Sequence, residues 1–153
     1  MRKPRLTRLE RHWVDQPVYF ITACIHQRKH VLNNNPVHEA FQGFAQRAAS
    51  RGAFVGNYVL MPDHLHLFVT FSPDATLVSG WVKSLKNSLS KTLREEGVLA
   101  PHWQKGFFDH VLRSEESYAD KWNYVARNLV RAGLVEHPED WPFRGEIHAL
   151  FVS

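Results

Sequence analysis

The stretch YVLMPDHLHLFV, residues 58–69, predicts two β-strands joined by a tight turn, with two histidines at the start of the second strand. Pro62 and Asp63 suit the centre of the turn, because proline fixes φ near the value that the first central position requires. Successive strand side chains point to opposite faces of a sheet, so His64 and His66 lie on one face. Two imidazoles side by side on a strand can bind one divalent metal ion. A third ligand has to come from elsewhere in the chain.

The other predicted elements extend this hairpin into a sheet. Runs of β-branched and aromatic residues predict strands, and apolar residues three or four apart predict helices. The predicted strands are 18–25, 54–60, 64–70 and 107–112, and the predicted helices are 37–50, 77–96 and 115–132. The order β-α-β-β-α-β is that of a ferredoxin-like or RRM-like α+β fold, in which helices pack on one face of a four-stranded antiparallel sheet. A further C-terminal helix carries Tyr124.

Helix ends and buried faces are also readable. An asparagine of the run 33–35 and Ser114 are predicted to cap the helices that follow them. The helix at 77–96 has the most regular pattern, because large apolar residues recur every four positions: Leu77, Trp81, Leu85, Leu89 and Leu93. That stripe predicts a helix face buried against the sheet.

Length and composition indicate an ordinary globular protein. The chain has 153 residues, of which 44% are hydrophobic and 22% charged, and no repeat or linker divides it. We therefore predict a single domain over 1–153, with a basic arm at 1–12 and an irregular tail at 138–153. No apolar run approaches the roughly 18–20 residues of a membrane span, and no apolar segment follows the basic N-terminus, so a cytoplasmic location is expected. Cys24 is the only cysteine, which excludes an internal disulfide and cysteine-rich zinc sites.

Positive charge is concentrated at the N-terminus. The net charge is +4, and five basic residues stand in the first eleven positions: Arg2, Lys3, Arg5, Arg8 and Arg11. Such a segment is either a solvated terminus or an arm that contacts phosphates, and the sequence leaves both interpretations open.

The C-terminal helix offers groups that could complete the histidine site. Tyr124 and Asn128 are four residues apart and therefore share one helix face. Tyr118 is a competing tyrosine on a different face. A tyrosine with an ordinary pKa near 10 needs assistance to act as a nucleophile at neutral pH. The alternatives are a half-buried aromatic residue at 124 and a solvent-facing amide at 128.

Four motifs together resemble one family. They are MPDHLH at 61–66, WQKGFFDH at 103–110, YVARNLVRAGLV at 124–135 and PEDWPF at 138–143. In order and spacing they resemble the HUH single-tyrosine transposases, with the closest likeness to the REP-associated tyrosine transposases. The resemblance extends over most of the chain between residues 18 and 143.

The resemblance implies a metal-dependent enzyme that cleaves and rejoins single-stranded DNA near hairpins. Tyr124 would be the nucleophile that forms a 5′-phosphotyrosine, and His64, His66 and Asn128 would bind Mg²⁺ or Mn²⁺. Where the family usually has Asn-Pro-Val, this chain has Asn-Leu-Val at 128–130. The leucine keeps a backbone donor that proline lacks. The resemblance leaves open whether the chain is a monomer or a homodimer. It also leaves open whether the tyrosine acts in its own subunit or in that of a partner.

Basic and aromatic side chains are candidates for DNA contacts. The basic candidates are Arg2, Lys3, Arg5, Lys83, Lys86, Arg127 and Arg131. Four tryptophans could stack on unpaired bases, at positions 81, 103, 122 and 141, although Trp81 is expected to pack in the core.

Three other functions compete with this interpretation. A histidine-triad nucleotide hydrolase needs a third histidine where this chain has Phe68. A zinc hydrolase lacks a further histidine or carboxylate at fixed spacing. A domesticated protein that binds single-stranded DNA or RNA hairpins without cleavage would expose aromatic residues on its sheet, whereas the predicted face presents His64, His66 and Phe68.

Overall fold

The computed structural model describes residues 17–75 and 77–150. The basic arm, with Arg2, Lys3 and Arg5, lies outside the described residues. The strands are β1 (Val18–Cys24), β2 (Ala53–Leu60), β3 (His64–Phe71), β4 (Phe108–Leu112) and β5 (Arg144–Glu146). The helices are α1 (Asn35–Ala48), α2 (Val78–Glu95) and α3 (Glu115–Arg131).

The sheet has the strand order β4-β1-β3-β2-β5, and every neighbouring pair is antiparallel. The four strands β4-β1-β3-β2 have the ferredoxin-like order, so the predicted α+β fold class is confirmed. The predicted β2–β3 hairpin is present as well. The Met61 amide donates to the carbonyl of His64 at 2.8 Å, which closes the turn at Pro62 and Asp63.

Two apolar layers cover the two faces of the sheet. On one face Leu65, Leu67 and Val69 of β3 pack with buried residues of α1 and α2. On the other face Phe68 belongs to a second cluster with residues of α3, among them Val125 and Leu129. The alternation of β3 explains this division, because residues of opposite parity face opposite layers. The C-terminal helix therefore covers the histidine face.

The predicted N-caps are confirmed. The Val37 amide donates to Oδ1 of Asn34 at 3.0 Å, and the Ser117 amide donates to Oγ of Ser114 at 3.1 Å. The prediction for Leu77 was wrong, since this residue is 78% exposed. It precedes the first residue of α2, so its side chain does not follow the buried stripe that begins at Trp81.

The tail is more regular than predicted. After a short 3₁₀ turn (Pro138–Asp140), β5 pairs with Asn57, Tyr58 and Val59 at the free edge of β2. The prediction of an irregular segment over 138–153 is corrected at these residues. Three residues are too few to show a strand period, and β5 owes its conformation to backbone pairing with a distant strand. No helix in the described part of the chain is long and apolar enough to cross a membrane.

Candidate active site

His64 is oriented by the residue before it. Its Nδ1 lies 2.7 Å from Oδ1 of Asp63, and the other carboxylate oxygen accepts a hydrogen bond from Nε of Arg28 at 2.8 Å. Burial alone would raise the pKa of the Asp63 carboxyl, but these hydrogen bonds hold it below its ordinary value. Because an ionised carboxylate only accepts, His64 donates to it through Nδ1, and in the neutral imidazole the lone pair is then on Nε2.

His66 is fixed on the same face by two residues of β1. Its Nδ1 lies 2.8 Å from Oγ1 of Thr22, and its ring stacks on Phe20 with centroids 5.1 Å apart. Burial, with smaller contributions from His64 and Lys121, lowers the pKa of His66 to about 3. The imidazole is therefore neutral at physiological pH, which is the form that binds a metal ion.

The two histidines could supply two ligands to a metal ion. Their ring centroids are 4.8 Å apart, and partners at both Nδ1 atoms orient the rings, as is usual for metal-binding histidines. Among residues 17–75 and 77–150, no group of three or more His, Cys, Asp or Glu side chains could hold a metal ion. A complete site needs a ligand of another type. The amide oxygen of the half-buried Asn128 suits that role chemically, and its assignment remains a prediction.

The two candidate tyrosines differ in their surroundings. Tyr118 is buried under the sheet face, where its hydroxyl donates to Oδ1 of Asn57 at 2.8 Å and accepts from the Asn57 amide at 2.9 Å. Burial raises the pKa of Tyr118 well above its ordinary value, so a phenolate is strongly disfavoured there. Tyr124 is 47% exposed and accessible to a substrate.

Lys121 links the tyrosine side of α3 to the histidine side of the sheet. Its Nζ lies 5.7 Å from the centroid of the Tyr124 ring and 5.3 Å from that of Phe20, the ring on which His66 stacks. Val125 and Leu129 point into the cluster against the sheet, so Tyr124 lies on the flank of the helix. The arrangement places a cation between a candidate nucleophile and a candidate metal site.

Comparison with known proteins identifies the family. The family model for IS200-like transposases matches residues 14–127, which is most of the chain. The chain belongs to this family. The resemblance to single-tyrosine transposases that the motifs indicated is thereby confirmed.

Two relatives have low sequence identity to this transposase family member but align with most of its length. A Haemophilus influenzae protein, provisionally named a REP-associated tyrosine transposase, is 23% identical over 140 residues, or 82% of this chain and 77% of that protein. An uncharacterised H. influenzae protein is 20% identical over 143 residues, or 73% of this chain and 79% of that protein.

Two solved structures share the fold. The structure of a REP-associated tyrosine transposase bound to a REP hairpin has a TM-score of 0.68 and 22% identity, and covers 84% of this chain and 75% of that one. The crystal structure of a protein provisionally described as a transposase from Deinococcus radiodurans has a TM-score of 0.53 and 18% identity, and covers 73% of this chain and 90% of that one.

The basic side chains predicted to bind DNA are not all on one surface of this transposase family member. Arg127 and Arg131 are exposed on α3, and Lys83 is exposed on α2, the helix that packs on the opposite face of the sheet. The ammonium of Lys86 donates to the backbone carbonyls of Gln104 and Gly106, so it holds the segment before β4 against α2. Contact of these residues with DNA remains a prediction.

Three of the four tryptophans considered for base stacking are occupied within the protein, and Trp81 packs in the core as expected. Trp81 and Trp141 are buried, and the indole of Trp103 donates to the carbonyl of Lys86 at 3.2 Å. Phe68 is fully buried beneath Tyr118, with ring centroids 4.2 Å apart. Phe68 therefore shares the face of His64 and His66, as predicted, and α3 covers it there.

Sequence reasoning missed Arg28 and assigned Asp63 only to the turn. Arg28 has φ +52° and follows Gln27 with φ +56°, both in the left-handed region that costs free energy for residues other than glycine. This backbone carries the guanidinium to Asp63. No periodicity in the sequence predicts this contact of Arg28. The position of Asp63 directly before His64 is visible in the sequence and could have indicated a partner for the imidazole.

Proposed function

We propose that this chain cleaves and rejoins single-stranded DNA near hairpins through a covalent bond to Tyr124. The observation that carries the proposal is the contrast between an exposed Tyr124 beside Lys121 and a buried, hydrogen-bonded Tyr118. Family membership supports the same class of reaction, and the hairpin-bound structural relative supports hairpin DNA as the substrate.

In the proposed cleavage step, the phenol oxygen of Tyr124 attacks the phosphorus of a phosphodiester. The new bond joins that oxygen to phosphorus, the bond from phosphorus to the 3′ oxygen breaks, and the phenol proton is lost to solvent while the leaving oxygen gains one. The products are a 5′-phosphotyrosine and a free 3′-hydroxyl. Rejoining reverses the step with a 3′-hydroxyl as nucleophile, so the bond energy is kept and no nucleotide cofactor is needed.

Charge and alignment dominate phosphoryl transfer, and this chain has residues for both. His64 and His66, with Asn128 as the proposed third ligand, would hold Mg²⁺ or Mn²⁺. The ion would polarise the scissile phosphate and orient it for in-line attack. Lys121 would neutralise charge on the phosphate from the side of α3, because its ammonium lies above the Tyr124 ring.

A covalent adduct tests the proposal directly. We would incubate the protein with a labelled DNA hairpin that has single-stranded flanks, in Mg²⁺ or Mn²⁺, and look for label that comigrates with protein under denaturing conditions. We expect the adduct with the native protein and with Tyr118→Phe, and none with Tyr124→Phe. An adduct that persists in Tyr124→Phe contradicts the assigned nucleophile.

The role of the metal site is separable from DNA affinity. His64→Ala should abolish the adduct while leaving most of the affinity for DNA, since phosphate contacts elsewhere supply most of that affinity. Tight binding by the native protein without cleavage, across many hairpin sequences, would instead favour a non-cleaving hairpin-binding protein.

A further inference from the structure

Phe108 is an exposed aromatic residue at the start of the edge strand β4. Its side chain is 69% exposed, whereas the preceding Phe107 packs against the core under the other face of the sheet. A single exposed apolar residue is common on protein surfaces. The position of this one in the sheet makes it different.

The strand register places Phe108 in the same cross-strand row as the candidate metal site. Phe108 is opposite Thr22, and Thr22 is opposite His66 on its other side. Directly opposite residues of antiparallel strands project to the same face, so these three side chains share the face that α3 partly covers. Two strand spacings separate the ends of the row by about 10 Å.

A groove lies beside this row, and His110, two residues after Phe108 on the same face of β4, is part of its lining. It lies between β4 and α3, has a volume of about 520 Å³, and is lined by His110, Arg113, Asp120, Lys121 and Tyr124, among others. Two cationic side chains and one carboxylate line it, so its charge favours a phosphate more than a neutral ligand.

We infer that Phe108 stacks on an unpaired base of the single-stranded DNA, and that the groove holds the adjoining nucleotide next to Tyr124. The inference rests on the proposed function for the position of the scissile phosphate. A flat ring beside cations is the arrangement that sequence-tolerant single-strand binders use, because every base has a π face. A protein partner would need a continuous apolar patch, but Asp109 and His110 follow Phe108 on the exposed strand.

Binding of a labelled DNA hairpin with a short single-stranded tail, measured by fluorescence anisotropy without divalent metal, tests this inference. Phe108→Ala and Phe108→Leu should raise the dissociation constant roughly 5- to 150-fold, the fold-change expected for loss of one stacked base. Phe108→Trp should bind as tightly as the native protein. The salt dependence of binding should stay the same in all variants, because no phosphate contact is lost.

Two controls exclude other causes. Leu99→Ala removes another exposed side chain, 81% exposed in the segment between α2 and β4, and should leave the affinity unchanged. A tail in which the bases are replaced by abasic sites should bind the native protein as weakly as the intact tail binds Phe108→Ala. Thermal unfolding should show the same midpoint for Phe108→Ala and the native protein, because the replaced ring is exposed.

Equal affinity of Phe108→Ala or Phe108→Leu and the native protein overturns the inference, as does failure of the native protein to bind the tailed hairpin. The binding assay contains no cleavage step. Absence of the adduct from the native protein would therefore count against the proposed function alone, and unchanged binding in the Phe108 variants would count against the stacking site alone.

Discussion

Asp63 joins Arg28 to His64: one carboxylate oxygen accepts from Nε of Arg28 at 2.8 Å, and the other lies 2.7 Å from Nδ1 of His64. The carboxylate thereby sets both the rotation and the tautomer of the imidazole. Partners of this kind typically contribute 10- to 100-fold to metal affinity. Here the partner is the residue directly before His64, and it lies in the turn of the β2–β3 hairpin.

The first prediction concerns this carboxylate. Asp63→Ala should weaken Mn²⁺ binding about 10- to 100-fold, because His64 loses the acceptor that fixes its ring orientation and its Nδ1–H tautomer. Titration calorimetry with Mn²⁺ measures the effect. Asp74→Ala, which removes an exposed carboxylate from the loop after β3, is the matched control and should bind as the native protein does. Equal Mn²⁺ affinity in Asp63→Ala would contradict the role given to Asp63.

The second prediction concerns the ammonium group beside the tyrosine. Lys121→Met should slow adduct formation about 10²-fold, the typical loss when one group that stabilises transition-state charge is removed. Single-turnover measurement of the adduct determines the rate. Lys91→Met removes an exposed lysine from α2, on the far side of the sheet, and should leave the rate unchanged. An unchanged rate in Lys121→Met would show that this ammonium does not act on the reacting phosphate.

Much of the fold was predictable because it follows from local patterns. Alternation in β3 places His64 and His66 on one face and Leu65 on the other. The order of elements leads to the ferredoxin-like sheet. The tyrosine helix was predictable in extent, but which layer it covers depends on contacts such as the one between Phe68 and Tyr118, which no local pattern encodes.

The surroundings of the site were less predictable, because they arise from distant pairing. Thr22 reaches His66 through the β1–β3 register, and Phe108 joins the same row through the β1–β4 register. Lys121 reaches the Phe20 ring only once α3 packs on the sheet. The left-handed backbone at Arg28 has no glycine or asparagine to indicate it. Each of these needs the assembled sheet.

The third prediction tests how tightly α3 is held on the sheet. Gly56 lies where the β2–β3 register shifts, and a Cβ atom there would lie 2.5 Å from the Tyr118 hydroxyl and 2.7 Å from Cδ1 of Leu150. Gly56→Ala should lower the free energy of unfolding by about 1–3 kcal/mol, because the surrounding groups are already packed. Chemical denaturation measures it, and adduct formation should slow as Tyr118 and α3 shift.

Gly43 provides the matched control for that substitution. In α1 its added Cβ would meet only the mobile end of Arg47, with Nη1 at 3.1 Å. Gly43→Ala should raise the free energy of unfolding by about 0.5–1 kcal/mol, the usual gain from replacing a mid-helix glycine. If both substitutions raised the free energy of unfolding, or if both lowered it equally, the space around Gly56 would not be limiting.

The fourth prediction concerns pH and a histidine outside the active site. Nε2 of His38 lies 2.7 Å from the Tyr58 hydroxyl, and this hydroxyl accepts a hydrogen bond from Nε2 of Gln42 at 3.1 Å. The hydroxyl proton is therefore free to donate to an unprotonated His38. Burial lowers the pKa of His38 below its ordinary 6.5, partly offset by Glu39. The unfolded chain thus takes up the proton first as the pH falls.

The free energy of unfolding should accordingly decrease as the pH is lowered through about 6.5, and recover above it. The limit for one proton is about 1.4 kcal/mol per pH unit, and the half-buried position of His38 keeps its contribution below that limit because solvent screens the charge. His66 contributes in the same direction, since its pKa is about 3. The difference in slope between the native protein and His38→Gln, from denaturation at pH values between about 5 and 7, isolates His38. Parallel slopes would mean that His38 binds protons equally in the folded and unfolded chains.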